Sequence, residues 1–135
     1  MRQTCSTYMT DAERLEEIYE LLSELDELSK DHILLIEGKK DRRALTALGV
    51  SGDMFQIQSD GGPVKAAEYV EEHGGKCVVL TDWDNRGDML ADRLCEMLDD
   101  HAVVDTHIRR GLRRLCSSYI KDMESLDSLV ARLRT

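Results

Sequence analysis

The chain of 135 residues has one proline, one tryptophan and one phenylalanine. It also lacks any apolar run of membrane-spanning length. With so few aromatics, the core must be built from aliphatic side chains. Met1 to Thr10 is polar and has no signal-peptide apolar region, so a cytoplasmic protein without membrane contact is expected. Cys5, Cys77, Cys95 and Cys116 show no C-x-x-C spacing, which argues against a zinc site. Reduced, mostly buried thiols are expected instead. His32, His73, His101 and His107 are scattered and show no ligand spacing either.

The length suits one domain, and folding at that size buries roughly two thirds of the unfolded surface. The net charge is −9, unevenly distributed. From His107 onward there are seven Lys and Arg against three Asp and Glu, a balance of +4, so residues 1–106 carry −13. A polyanion contact on the basic part and an acidic protein with one solvated basic helix both fit this asymmetry.

Thr10-Asp11-Ala12-Glu13 reads as a capping box, and an amphipathic helix is expected from about Asp11 to Ser29. Ile33 to Ile36 is a strand buried on both faces. A helix from Lys39 to Leu48 follows, stopped by Gly49. Met54 to Gln58 alternates and predicts a half-exposed strand, with a loop at Ser59 to Gly62. Pro63 opens a helix with Val64, Ala67 and Val70 inward. Lys76 to Thr81 is the third strand. A helix from Arg86 to Leu98 is expected to bury Met89, Leu90, Leu94 and Met97. Ala102 to Val104 is a short fourth strand, and helices at 108–116 and 126–133 complete the chain.

Alternating strands and helices predict an α/β fold with a parallel sheet between helical layers. The two most apolar strands belong in the centre, which gives the order 2-1-3-4. Residues 1–30 form an N-terminal helix on the domain, 31–106 the core, and 107–135 a basic helical extension of the same globular unit. The switch point falls between strands one and three, where open α/β sheets bind ligands. Strand one ends in Glu37 and strand three in Asp82-Trp83-Asp84.

These three carboxylates are expected to converge and hold a divalent metal. At about 6 Å apart and an effective dielectric near 20, each pair repels by roughly 3 kcal/mol. That repulsion must be relieved by protonation or by a cation. All-oxygen ligands without His or Cys select Mg²⁺ or Mn²⁺ over zinc. Mg²⁺ leaves positions free for phosphate oxygens, so a phosphate ester is the expected partner.

Ile36-Glu37-Gly38-Lys39-Lys40-Asp41, followed 45 residues after Glu37 by Asp82-Trp83-Asp84-Asn85-Arg86-Gly87, resembles the E-G-x-x-D and D-x-D-x-x-G pair of the Toprim domain. Bacterial-type primases, type IA and type II topoisomerases, OLD-family nucleases and the 5S ribosomal RNA maturation nuclease share that Rossmann-like domain. The resemblance covers roughly residues 30–106. It is nearest to the maturation nuclease and to small stand-alone archaeal Toprim proteins. It implies a Mg²⁺-dependent protein acting on nucleic-acid phosphodiesters, of nuclease or RNA-processing type. Glu37 becomes the general acid/base with a share in metal binding, and Asp82 and Asp84 the metal ligands. Asp41 matches the motif but could equally cap its helix.

Lys39, Lys40, Arg42, Arg43 and Arg86 flank the acidic centre. Arg109, Arg110, Arg113 and Arg114 fall at i, i+1, i+4, i+5 and are expected to share one helix face. Cations around a metal–carboxylate centre suit the backbone of RNA or DNA. Trp83 suits stacking on a base or packing against a helix. Two other readings stand beside the enzyme. One is a non-catalytic Toprim module that binds nucleic acid or a larger processing complex. The other is a D-x-D phosphatase, in which Glu37 has no role.

Overall fold

The computed structural model describes residues 9–100 and 102–135. Cys5, His101 and most of the polar stretch from Met1 to Thr10 therefore lie outside the described residues.

The chain opens with α1 (Asp11–Leu28), started by the expected capping box: Glu13 N donates to Thr10 Oγ1 at 3.0 Å and Thr10 N to Glu13 Oε1 at 2.9 Å. Then follow β1 (Ile33–Ile36), α2 (Lys39–Ala47), β2 (Met54–Gln56), the single turn α3 (Ile57–Asp60) and α4 (Gly62–Glu72). The second half runs β3 (Lys76–Val79), α5 (Asn85–Leu98), β4 (Val103–Asp105), α6 (His107–Cys116), a 3₁₀ turn (Met123–Ser125) and α7 (Leu126–Leu133). All four strands pair in parallel in the order β2-β1-β3-β4, as the apolarity of the strands requires.

Two cores cover the sheet. On one face Leu34, Ile36, Val78 and Leu80 pack with Ile18, Leu22 and Leu25 of α1, Leu45 of α2, Ile108 and Leu112 of α6, and Leu129 of α7. On the other, Ile33, Leu35, Cys77 and Val79 meet Ala66 and Val70 of α4 and Leu94 and Leu98 of α5. The result is a three-layer α/β/α domain in which both terminal helices join one layer. Among the described residues no helix is long and apolar enough to cross a membrane.

Three local expectations are corrected. β2 is buried rather than half exposed, because Met54 enters one core and Phe55 the other. It also ends at Gln56, and Ile57–Asp60 turns as a helix instead of continuing as strand and loop. Val64 and Met89, read as inward, are 51% and 71% exposed; Ala66 and Ala91 occupy the inward positions.

Candidate functional site

The site lies at the C-terminal edge of the sheet, between β1 and β3. Leu80 N donates to Leu35 O, so the main chain beyond β3 still runs beside β1 when both reach their polar ends. There Asp82 N donates to Glu37 Oε2 at 2.8 Å. Two acids 45 residues apart in sequence thus sit side by side.

Gly87 makes this approach possible. A Cβ there would stand 1.8 Å from the Asp82 carbonyl oxygen, so only glycine lets the start of α5 press against the strand tip. Thr81 Oγ1 donates to Gly87 O at 2.8 Å and fixes the same contact.

The C-terminal segment closes the other side. Met123 N donates to Asp82 Oδ1 at 2.9 Å, Trp83 N to Lys121 O at 3.2 Å, and the Trp83 indole Nε1 to Ile120 O at 2.8 Å. Trp83 is buried in the core under this segment, so the packing alternative holds and its ring is not offered to a base. Glu37, Asp41, Asp82 and Glu124, with Gly38, Lys39, Lys40 and Gln58, line a cleft of about 360 Å³.

Burial pushes the Asp82 carboxyl up to about 7; the Met123 N–H opposes the rise, and Glu37 and Asp41 add to it. Burial also pushes Asp41 up to about 6, against hydrogen bonds from the Gly38 and Glu37 amides and with help from Glu37 and Glu124. Those two amide bonds to Asp41 Oδ2, at 3.2 and 3.1 Å, make Asp41 the cap of α2, one of its two expected roles. No salt bridge reaches Glu37, Asp41, Asp82 or the Glu124 side chain among the described residues.

Asp84 departs from the expected triad. It is exposed, it does not line the cleft, and its Oδ1 accepts from Gly87 N at 2.7 Å as the N-cap of α5. Among the described residues no group of three or more His, Cys, Asp and Glu side chains is gathered tightly enough to hold a metal ion. Glu37 and Asp82 do share the cleft. Mg²⁺ ordinarily takes one or two protein carboxylates and fills its remaining positions with water and phosphate oxygens. This pair, all oxygen and mutually repelling, fits such an ion.

The expected cations divide. Lys39 and Lys40 are exposed and line the cleft, and Arg86 is exposed on the first turn of α5. Arg43 is spent on Asp127 at 3.1 Å. The four arginines of α6 do not share one exposed face. Arg110 is exposed and bonds Thr106 Oγ1, and Arg114 pairs with Glu17 at 3.5 Å. Arg113 pairs with Asp88. Arg109 is buried and points inward: Nε donates to Thr81 O at 2.9 Å, and one terminal nitrogen to Asp82 O at 2.6 Å and Asp88 Oδ1 at 2.7 Å. A phosphate contact by Arg109 is therefore corrected to an internal brace. Glu124, Gln58 and the Met123 amide were not singled out in the sequence. The approach of Met123 and Glu124 depends on a non-local return of the chain that leaves no periodic signal, and Gln58 reaches the cleft because the chain turns as a helix straight after β2.

No protein-family model matches the chain. A UPF0292 protein of Methanosarcina acetivorans is 38% identical over 94% of this chain and 92% of its own length. A UPF0292 protein of Methanosarcina barkeri is 40% identical over 93% and 92%. One from Methanocaldococcus jannaschii is 34% identical over 87% and 93%. Among solved structures, a protein from Aquifex aeolicus superposes with a TM-score of 0.67 at 23% identity, over 78% of this chain and 94% of that one, a likeness of fold.

Proposed function

The chain belongs to the UPF0292 family, and we propose, from its motifs and cleft, that it is a Mg²⁺-dependent Toprim-type protein that cleaves or processes nucleic-acid phosphodiesters. The observation that carries this reading is the 2.8 Å bond between Asp82 N and Glu37 Oε2. It brings Glu37 and Asp82, from the E-G-x-x-D and D-x-D tips, to one cleft edge, with no arginine among the described residues paired to either carboxylate.

Glu37 and Asp82 would hold the ion, Mg²⁺ or Mn²⁺, which when bound would offset phosphate charge and activate an oxygen. The second oxygen of Glu37 has no protein hydrogen bond among the described residues, so it can take or give a proton at the attacking or leaving oxygen. Met123 N–H and the Arg109 bond to the Asp82 carbonyl keep the Asp82 carboxylate oriented. Lys39 and Lys40 stand where a phosphate backbone would enter the cleft, and the exposed Arg86 and Arg110 would lengthen that track.

The test is a cleavage assay on single-stranded and structured RNA and DNA, with and without Mg²⁺. Glu37→Gln should lower the rate about 10²–10⁴-fold, the usual worth of a general acid/base, and Asp82→Asn should act through the metal. Variants that cleave as well as the parent overturn the assignment. Salt-dependent binding with no turnover at any metal concentration favours the non-catalytic module.

A further inference from the structure

We propose that Arg109 is a positioning residue for the acidic tip. With Asp88 as its counter-ion, it sets how tightly the cleft takes a divalent cation, without touching nucleic acid. The inference rests on the metal reading above and adds a residue to it from outside the cleft.

β3 ends at Val79, so the carbonyls of Thr81 and Asp82 lie beyond its assigned ladder. Buried carbonyls without partners are costly. Arg109 serves both, at 2.9 and 2.6 Å, from a guanidinium that is itself buried. Its planar fork reaches the two carbonyls and the Asp88 carboxylate together; a lysine ammonium on a flexible stem cannot copy that geometry. The contact is to the main chain of Asp82, not its carboxylate. Arg109 therefore leaves the negative charge of the cleft intact while fixing where that charge sits.

Asp88 makes the arrangement affordable in electrostatic terms. It accepts from Arg109 and from Arg113 on the next turn of α6, so the buried cation is compensated locally. Hence α6, C-terminal to the core, holds the tip from one side, while Met123 holds it from the other. Loss of the Arg109 fork frees the Thr81–Asp82 peptides to tilt, and the Asp82 N–H drifts from Glu37.

The experiment uses the full chain and two readouts. Mn²⁺ affinity is measured by electron paramagnetic resonance without nucleic acid, and amide hydrogen exchange at Asp82 and Trp83 is followed without metal. Arg109→Lys should weaken Mn²⁺ binding about tenfold and speed exchange at both amides at least tenfold. Asp88→Asn should weaken Mn²⁺ binding several-fold, a second variant in case the first folds poorly. Arg110→Ala, exposed on the same helix, should leave Mn²⁺ affinity within about twofold. In binding to a 20-nucleotide RNA, Arg110→Ala should lower the salt slope by about one, whereas Arg109→Gln, which also removes a charge, should leave it unchanged. Mn²⁺ affinity equal to the parent in Arg109→Lys, or a salt slope reduced by about one in Arg109→Gln, overturns the proposal. If the parent itself binds no Mn²⁺, the metal reading falls and takes the cation part with it. The exchange arm still decides the brace.

Discussion

Asp82 and Asp88 lie six residues apart on one connection from strand to helix, and their surroundings drive their carboxyls in opposite directions. At Asp82, burial and neighbouring acids raise the carboxyl to about 7. At Asp88, hydrogen bonds from Arg109 and Arg113 hold it below its ordinary value. Among the described residues, two guanidiniums bond the outer carboxylate and none bonds the inner one. Charge is compensated where the fold needs stiffness and left uncompensated at the cleft. The repulsion left at the cleft is what the proposed cation would relieve.

The contrast breaks most sharply at Asp88. Asp88→Ala should destabilise the protein by about 2–3 kcal/mol, because it strands the Arg109 charge. The value falls below the 3–5 kcal/mol of a fully buried pair because Asp88 is partly exposed. Urea unfolding at pH 7 measures it, and a loss under about 0.5 kcal/mol would mean that Arg109 needs no counter-ion.

Mg²⁺ should act on the other member of the comparison. At ten times its Kd it should add about 1.4 kcal/mol to the stability of the parent. It should add nothing to Asp82→Asn, as read from the midpoint of thermal unfolding.

The smallest effect is the most diagnostic, because its sign is reversed. A carboxyl whose folded pKa is raised binds a proton more tightly in the folded state. Its stabilising contribution is therefore complete below about 4 and is lost as pH rises through about 7. Metal-free stability should decline over that window. Asp82→Asn should flatten the decline and stabilise the protein at pH 8 by about 1 kcal/mol, once solvent screening of a part-buried group is allowed for. At pH 4 the gain should vanish. The same Asp→Asn change at residue 88 should destabilise at both pH values.

Much of this fold was legible in the sequence. Ile33–Ile36 and Cys77–Leu80 are too apolar for any place but the centre of the sheet, which puts Glu37 beside Asp82. The misread positions share a cause. In α5 the inward stripe is Gly87, Ala91, Leu94 and Leu98. Two of its members are small and carry little hydrophobic signal, so Met89 drew the assignment although it faces solvent. β2 alternates in sequence, but helices cover both of its sides, so its edge position did not make it half exposed. At the site, the spacing of the motif made Asp82 and Asp84 look equivalent. Only the fold shows that Asp84 is occupied at the start of α5. Glu124 and the inward turn of Arg109 depend on how residues 107–125 return over the strand tips, which no local pattern encodes.

Trp83 is the only indole in the chain, wedged between the two aspartates of the motif and bonded to the returning C-terminal segment. Tryptophan emission from this molecule therefore comes from a single chromophore beside its acidic centre. Events at that centre, whether ion uptake, release of the segment or loss of the brace, can be followed optically in the unlabelled protein.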